Sequence, residues 1–149
     1  SGVRTSYRYY NNLFAKIFLG DRWILAPMLD LGWEQELHQG GGKSWVPWQS
    51  WALSARYALT AKHGLAARFD RTRDPHNIIP ELKTTTAPMP HGWNSNGYTL
   101  TYEYLFNEAT TIRVEGRYVK TEDAVFKTKT PNRFSDEDSF VASSVAMSF

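Results

Sequence analysis

The sequence predicts an all-β fold: an antiparallel up-and-down transmembrane β-barrel of seven or eight strands, or the C-terminal part of a larger barrel. Three observations favour this fold class. Aromatic residues make up 15% of the chain, although its mean hydropathy is −0.49. Apolar and polar residues alternate along several segments of about ten residues, as in strands with one face toward lipid. Short turns and long loops alternate between those segments.

Composition and charge exclude several protein classes. No apolar stretch approaches the roughly 20 residues that a membrane helix needs. The net charge is +2, with 17 basic and 15 acidic residues spread along the chain, so no nucleic-acid footprint is present. The chain has no cysteine and therefore no disulfides or thiolate metal sites. No linker divides it, and residues 1–149 are expected to form one barrel domain or one barrel segment.

The first segment, residues 3–19, keeps one apolar parity through Asn11 and Asn12. It forms either one long strand or two strands joined by a tight turn at the asparagines. One strand gives seven in this chain and two give eight, and the unbroken parity favours seven. Bacterial single-chain barrels normally have an even number of strands, so seven would mean that strands are missing on the N-terminal side.

The other predicted strands show the same period of two residues. On one parity lie Trp, Leu, Val, Ile, Tyr and Phe, and on the other lie mostly charged or small residues. Apolar side chains should face lipid and polar ones the barrel interior. These strands cover residues 22–37, 50–59, 64–74, 97–106, 111–121 and 139–149.

The connections between these strands alternate in length. In outer-membrane barrels the short turns are periplasmic and the long loops are extracellular. The predicted tight turns are residues 20–21, 60–63 and 107–110, and the predicted long loops are residues 38–49, 75–96 and 122–138.

Charged residues on the polar parity are the candidate lumen-lining residues. In a wide barrel they would line water and favour anions, because fixed positive charge raises the local anion concentration. In a narrow eight-stranded barrel the same groups would pair across the interior and fill it. The sequence leaves both arrangements open. The candidates are Arg22, Asp30, Glu34, Arg56, Arg68, Asp70, Glu103, Arg113, Glu115 and Arg117.

Aromatic residues near the strand ends are predicted to form girdles at the two lipid–water interfaces. The alternative is a set of core aromatics in a soluble β-sandwich or lipocalin-like barrel, and Tyr hydroxyls at both strand ends argue against it. The girdle candidates are Trp23, Trp33, Trp51, Tyr57, Tyr98, Tyr104, Phe106 and Tyr118.

No catalytic site, metal site or cofactor is expected. The four histidines fall in turns and loops without ligand spacing, and no serine–histidine constellation stands out. Carboxylates in the last long loop could hold a divalent cation, and Lys127, Lys129 and Arg133 could contact lipopolysaccharide phosphates. Solvated loop charge is the favoured interpretation of both groups.

Two hairpins, SARYALTAKHGLAARFDRTRDP and TLTYEYLFNEATTIRVEGRYVKTEDAVF, precede the terminal SSVAMSF. Together they resemble the C-terminal hairpins of Gram-negative outer-membrane porin-like proteins, closest to the OmpL-like group of β-barrel porins. The resemblance covers residues 50–149. It rests on two Arg-Tyr pairs and two charged corners, which are Arg56-Tyr57, Arg117-Tyr118, Asp74-Pro75 and Glu122-Asp123.

The resemblance implies a location in the outer membrane of a Gram-negative bacterium. Val145, Met147 and Phe149 are similar to the signal that the barrel-assembly machinery reads. The implied function is a porin-like channel for passive diffusion of small hydrophilic solutes, without enzymatic activity. The alternative is a small filled barrel with a structural or surface-binding role through its long extracellular loops.

The partners expected from this interpretation are outer-membrane lipid and lipopolysaccharide, the barrel-assembly machinery and small hydrophilic solutes. Nucleic acid is not among them. Whether the chain forms a homo-oligomer or joins a larger envelope complex is left open by the sequence.

Overall fold

The computed structural model describes residues 7–37, 42–77 and 89–148. These residues are all-β, and within them no helix is long and apolar enough to cross a membrane. The strands are β1 (Arg8–Phe14), β2 (Ile17–Leu19), β3 (Trp23–Leu37), β4 (Lys43–Ala58), β5 (His63–Asp74), β6 (Trp93–Asn107), β7 (Thr110–Thr121), β8 (Phe126–Lys127), β9 (Phe134–Ser135) and β10 (Glu137–Met147).

One antiparallel sheet has the order β1-β3-β4-β5-β6-β7-β10, with β2 also paired to β3. Each long strand therefore lies beside its neighbour in sequence, which confirms the predicted up-and-down arrangement. The predicted tight turns join β2 to β3, β4 to β5 and β6 to β7. Between β4 and β5 the Leu59 and Thr60 N–H groups donate to the His63 carbonyl, and between β6 and β7 the Ala109 N–H donates to the Asn107 side chain.

Strands β1 and β2 pair one after the other with the same edge of β3. The register against β3 is the same for β1 and β2, so no residue is gained or lost between them. The break falls at Ala15 and Lys16, where the Ala15 N–H donates to the Pro27 carbonyl. Pro27 has no N–H to donate in return, so the ladder loses a bond there. Asn11 and Asn12 lie inside β1 and form no turn, as the seven-strand alternative predicts.

The three predicted long loops are shorter than expected, because the following strands begin earlier, at Lys43, Trp93 and Glu137. The last of these loops also contains the short β8–β9 hairpin. In the first loop the alternation was hidden because large aromatic residues occupy both parities. Trp45 lies on the lipid-facing parity of β4, whereas Trp48 lies on the polar one.

Trp48 fits the polar face of the sheet because its cross-strand partner is Gly32. A Cβ on Gly32 would collide with the Trp48 ring. The ring also stacks on Tyr10, with 5.6 Å between ring centroids. A glycine covered by an aromatic ring from the next strand keeps the register of a curved sheet.

The polar face of the sheet is the less accessible one and the apolar face is the more accessible one, which is the reverse of a soluble protein. Buried side chains in the sheet include Asp70, Ser95 and Thr99, whereas Leu100 and Val141 are 61% and 78% exposed. In the part of the chain that the structure describes, no second large sheet covers either face. The lower accessibility of the polar parity therefore indicates that the sheet curves around it. We call this the concave face and the apolar parity the outward face.

Among the described residues, β1 and β10 form the two edges of the sheet. Both strands are exposed along their whole length. An open edge leaves backbone N–H and C=O groups without partners, which lipid does not tolerate. In a membrane these edges must be closed by strand pairing.

Candidate functional site

The concave face carries two clusters in which two arginines share one carboxylate. The lower triad, nearer the short turns, consists of Arg56, Glu103 and Arg113. Arg56 Nε donates to Glu103 Oε2 at 2.5 Å, and Arg113 Nε donates to Oε1 of the same carboxylate at 2.9 Å. Each carboxylate oxygen thus binds a different guanidinium, and the triad has a formal charge of one positive unit.

The lower triad depends on a glycine in the strand that it crosses. Arg56 belongs to β4 and Glu103 to β6, so their side chains meet above Gly64 of the intervening β5. A Cβ on Gly64 would lie 2.9 Å from Arg56 Nη2 and 3.3 Å from Glu103 Oε2. Glycine therefore leaves the space through which two non-adjacent strands are joined.

The upper triad consists of Arg68, Asp70 and Arg117 and repeats this design. Arg117 donates to both carboxylate oxygens of Asp70, at 3.1 and 3.0 Å, and Arg68 Nε donates to Oδ1 at 3.3 Å. Arg117 also donates to Thr99 Oγ1 at 3.0 Å. The pair crosses β6 at Gly97, where a Cβ would lie 2.5 Å from Asp70 Oδ2.

Other charges of the concave face, among the described residues, include one neutral pair and carboxylates bound by uncharged groups. Arg8 pairs with Glu34 at 2.6 Å. Asp30 accepts hydrogen bonds from the Tyr10 hydroxyl at 2.7 Å and from the Asn12 amide at 2.6 Å. The Thr101 hydroxyl donates to Glu115 at 3.1 Å. Positive charge is thus concentrated in the two triads.

The structure places all but one of the candidate lumen residues on the concave face. Arg22 is the exception and corrects the prediction. It lies in the turn before β3, and its guanidinium donates to the Tyr57 hydroxyl at 3.3 Å, on the outward face. Outside a strand, alternation no longer determines the direction of a side chain, and a long arginine reaches the nearest acceptor.

Seven of the eight candidate girdle residues belong to the outward parity of their strands. Phe106 lies at the β-bulge between Leu105 and Asn107 and contacts Tyr104 of that parity. Trp23 and Tyr57 pack at the short-turn end, with 4.6 Å between ring centroids. Near the same end, Tyr104 and Phe106 contact edge to face at 6.5 Å. Trp33 lies at the other end of β3 and packs against Tyr9 at 5.7 Å, a contact that the sequence did not indicate.

The long-loop side has a continuous aromatic row, Trp51–Phe69–Tyr98–Tyr118, which includes one residue that the sequence analysis missed. Phe69 lies 5.1 Å from Trp51 and 5.0 Å from Tyr98, and Tyr98 lies 6.1 Å from Tyr118. The alternation assigned Phe69 to the lipid-facing parity. Only the register of β5 against its neighbours places it between two girdle residues.

Val145 and Met147 of the predicted assembly signal lie on the exposed outward parity of β10. Phe149 lies outside the described residues. In residues 7–37, 42–77 and 89–148, no three His, Asp or Glu side chains are grouped so that they could hold a metal ion. Of the loop acids considered for a cation, Asp136 and Glu137 instead approach Lys120, at 3.7 and 3.0 Å.

A contact between two long loops fastens the connection before β6 to the connection after β7. The Asp123 carboxylate accepts a bond from the His91 N–H at 3.0 Å and lies 2.8 Å from His91 Nδ1. The hydrogen bond and the negative charge of Asp123 raise the pKa of His91 above its ordinary value. Because the folded pKa is the higher one, the contact stabilises fully below the unfolded pKa, near 6.5, and weakens as pH rises through the folded value.

We expect Asp123→Asn to return the pKa of His91 toward its ordinary value and to remove the pH dependence of this contact. Histidine ring resonances of the full chain, followed by NMR from pH 5 to 9 (roughly the range in which histidine titrates), would measure the change. Asp138→Asn is the matched control, since Asp138 accepts a bond from the Ser139 N–H and does not contact His91. An unchanged His91 titration in Asp123→Asn would contradict the contact.

Comparison with known proteins agrees with this geometry. Residues 1–149 match the family described as putative beta-barrel porin-2, OmpL-like. No match was found among curated proteins or among solved structures. The match and the polar concave face support the same fold class, a membrane-embedded antiparallel β-barrel. The chain therefore belongs to the putative beta-barrel porin-2, OmpL-like family.

Proposed function

We propose that this chain forms the wall, or part of the wall, of a porin-like channel in the outer membrane of a Gram-negative bacterium. Small hydrophilic solutes cross it by passive diffusion. The observation that carries the proposal is the pair of arginine triads on a concave polar face whose reverse side is exposed and apolar. Family membership supports the same role in general terms.

The arrangement of the ion pairs favours an open lumen over a filled interior. Within the part of the chain that the structure describes, the ion pairs of the concave face join residues on the same, adjacent or next-but-one strands. The charges therefore run along the wall. In a filled barrel the same groups would reach across the interior to opposite strands.

The triads give the wall local sites of positive charge. Arg113 binds Glu103 through Nε, and 49% of its side chain is exposed. A guanidinium has five N–H donors, so the exposed remainder is available to passing anions. Arg113 and Arg117 lie four residues apart on β7, about 13 Å, which spaces the two triads along the direction of passage. We propose that they favour anions over cations.

We further propose that the channel catalyses no reaction. Ser50, a candidate nucleophile by residue type, lies on β4 with its hydroxyl 3.0 Å from the Thr72 hydroxyl. His63 Nδ1 lies 2.6 Å from the Tyr102 hydroxyl. Neither contact is the serine–histidine pair that acyl transfer requires.

Reversal of two triad charges tests the channel. Arg113→Glu with Arg117→Glu should shift the preference from anions toward cations by roughly threefold to tenfold, because both changes lie in the proposed lumen. The measurement is the reversal potential of the protein in a planar bilayer under a salt gradient. The charge-neutral pair Arg113→Gln and Arg117→Gln should give an intermediate value.

The matched control is Arg22→Glu with Lys62→Glu, which changes the charge equally but in short turns outside the concave face. It should give a smaller shift. Unchanged selectivity in a conducting triad variant would contradict the lumen position of these arginines. A folded wild-type protein that does not conduct would overturn the channel itself.

A further inference from the structure

The outward face of β4 to β7 is divided into three levels toward the long loops. The lowest is an open apolar groove of about 680 Å³, whose lining includes Leu53, Ala55, Ala67, Leu100 and Gly116. The small residues Ala55, Ala67 and Gly116 leave this space open between larger side chains of the lining such as Leu53 and Leu100. Phe69, Tyr98 and Tyr118 of the aromatic row form the upper part of the groove's lining, two residues farther along β5, β6 and β7, and Trp51 lies one level higher on β4.

The third level is basic. Trp51 pairs with Arg71, Arg71 with Asn96, and Asn96 with Lys120, so these residues form one cross-strand row. Arg73 follows Arg71 two residues farther along the same parity of β5. The two arginine Cα atoms are therefore about 6.6 Å apart and on the same face.

Arg71 and Arg73 differ from the arginines of the concave face in their partners. Arg56, Arg113 and Arg117 each bind a carboxylate. Within residues 7–37, 42–77 and 89–148, Arg71 and Arg73 make no ion pair or side-chain hydrogen bond, and both are exposed. Arg71 and Arg73 thus place two adjacent guanidinium groups, without a protein carboxylate, next to the aromatic row. Such a pair can bind an anion from outside the protein.

The position of these groups identifies the anion. A girdle marks the boundary between hydrocarbon and head groups, so Arg71 and Arg73 lie at the level of the head groups. Guanidinium groups bind phosphate through paired N–H donors. We propose the orientation with the long loops outside, from the alternation of short turns and long loops. The head groups beside Arg71 and Arg73 are then those of the outer leaflet, whose phosphate-bearing lipid is lipopolysaccharide.

We infer that the outward face of β4 to β7 is a binding site for the phosphorylated glucosamine head of lipopolysaccharide. Arg71 and Arg73 hold a phosphate, the aromatic row lies beside the upper part of the acyl chains, and the groove accommodates one chain. Lys120 lies in the same row but is paired with Glu137 at 3.0 Å and Asp136 at 3.7 Å, so Arg71 and Arg73 supply the positive charge of the site. The site rests on the proposed orientation of the barrel but not on conduction.

The test is the binding of purified bisphosphorylated lipid A to the folded full chain in detergent, measured by native mass spectrometry. Arg71→Ala with Arg73→Ala should weaken binding about tenfold or more, the loss expected when charge-assisted phosphate contacts are removed. The matched control, Arg22→Ala with Lys62→Ala, removes two basic groups at the short-turn side and should bind within about twofold of wild type.

Three ligands keep the test independent of any folding defect in the variants. Wild type should bind phosphate-free lipid A about tenfold more weakly than the bisphosphorylated form, if phosphate supplies the contact. Phosphatidylglycerol, with one phosphate and no glucosamine head, should bind more weakly as well. Equal binding of the phosphate-free form, or wild-type affinity in the arginine variant, would overturn the site. The ion selectivity of that variant should be unchanged, which separates this result from a failure of the channel proposal.

Discussion

Leu100→Arg is expected to lower the free energy of unfolding in a lipid bilayer by about 2–4 kcal/mol. Leu100 is 61% exposed on the outward face of β6, an interior strand between β5 and β7. In a soluble protein, replacing so exposed a leucine would change stability by no more than about 0.5 kcal/mol. In the membrane the same position faces hydrocarbon, where a guanidinium loses its hydration.

The neighbouring residue supplies the control for this prediction. Thr101 lies on the concave face beside Glu115, so Thr101→Arg places its charge in water and near a carboxylate. The change in unfolding free energy should stay within about 1 kcal/mol. Urea titration of both variants in phospholipid vesicles, followed by tryptophan fluorescence, measures the difference. Equal effects at Leu100 and Thr101 would contradict the assignment of the two faces.

Asp70→Ala should destabilise the protein by about 2–3 kcal/mol. Removal of one member of a buried ion pair leaves the other charge without its partner, which costs about 3–5 kcal/mol when both groups are fully buried. Here the side chain of Asp70 is 11% exposed and that of Arg117 is 27% exposed, so water compensates for part of the loss. Denaturant titration in vesicles, as for the Leu100 variant, measures the effect.

A double-mutant cycle separates the upper triad from general damage. Asp70→Ala combined with Arg117→Ala should be less destabilising than the two single changes together, with a coupling energy of about 1 kcal/mol or more. The comparison pair is Arg8 and Glu34, where Arg8 is 55% exposed and the coupling should stay below about 0.5 kcal/mol. Additive effects at Asp70 and Arg117 would show that their contact does not stabilise the wall.

Much of the fold follows from the chain alone. Leu100 and Thr101 were assigned to opposite faces by alternation, and the structure places them so. This assignment succeeds because successive side chains of any strand point to opposite faces, whatever the neighbours. The tight turns and the antiparallel order follow in the same local way. The one wrong face, that of Arg22, belongs to a turn, where the alternation ends.

Tertiary structure determines the contacts within each face, because these depend on register. Arg56 and Glu103 are 47 positions apart in the sequence. They meet because the strand between them has Gly64 at this level, and glycine leaves the space that both side chains need. Alternation assigned Trp48 to no strand, since its fit requires Gly32 on the facing strand. The period of two residues is a property of one strand, whereas register belongs to a pair of strands and is not visible in either sequence segment.

The same distinction separates the two kinds of arginine on β5. Alternation along the chain is enough to assign Arg68 to the polar parity and Arg71 to the lipid-facing one. The sequence also places Asp70 two residues from Arg68 on the same parity. It does not show that Arg117 of β7 binds the same carboxylate, or that Arg71 has no carboxylate within reach among the described residues. Both facts depend on which side chains the neighbouring strands bring to the same level.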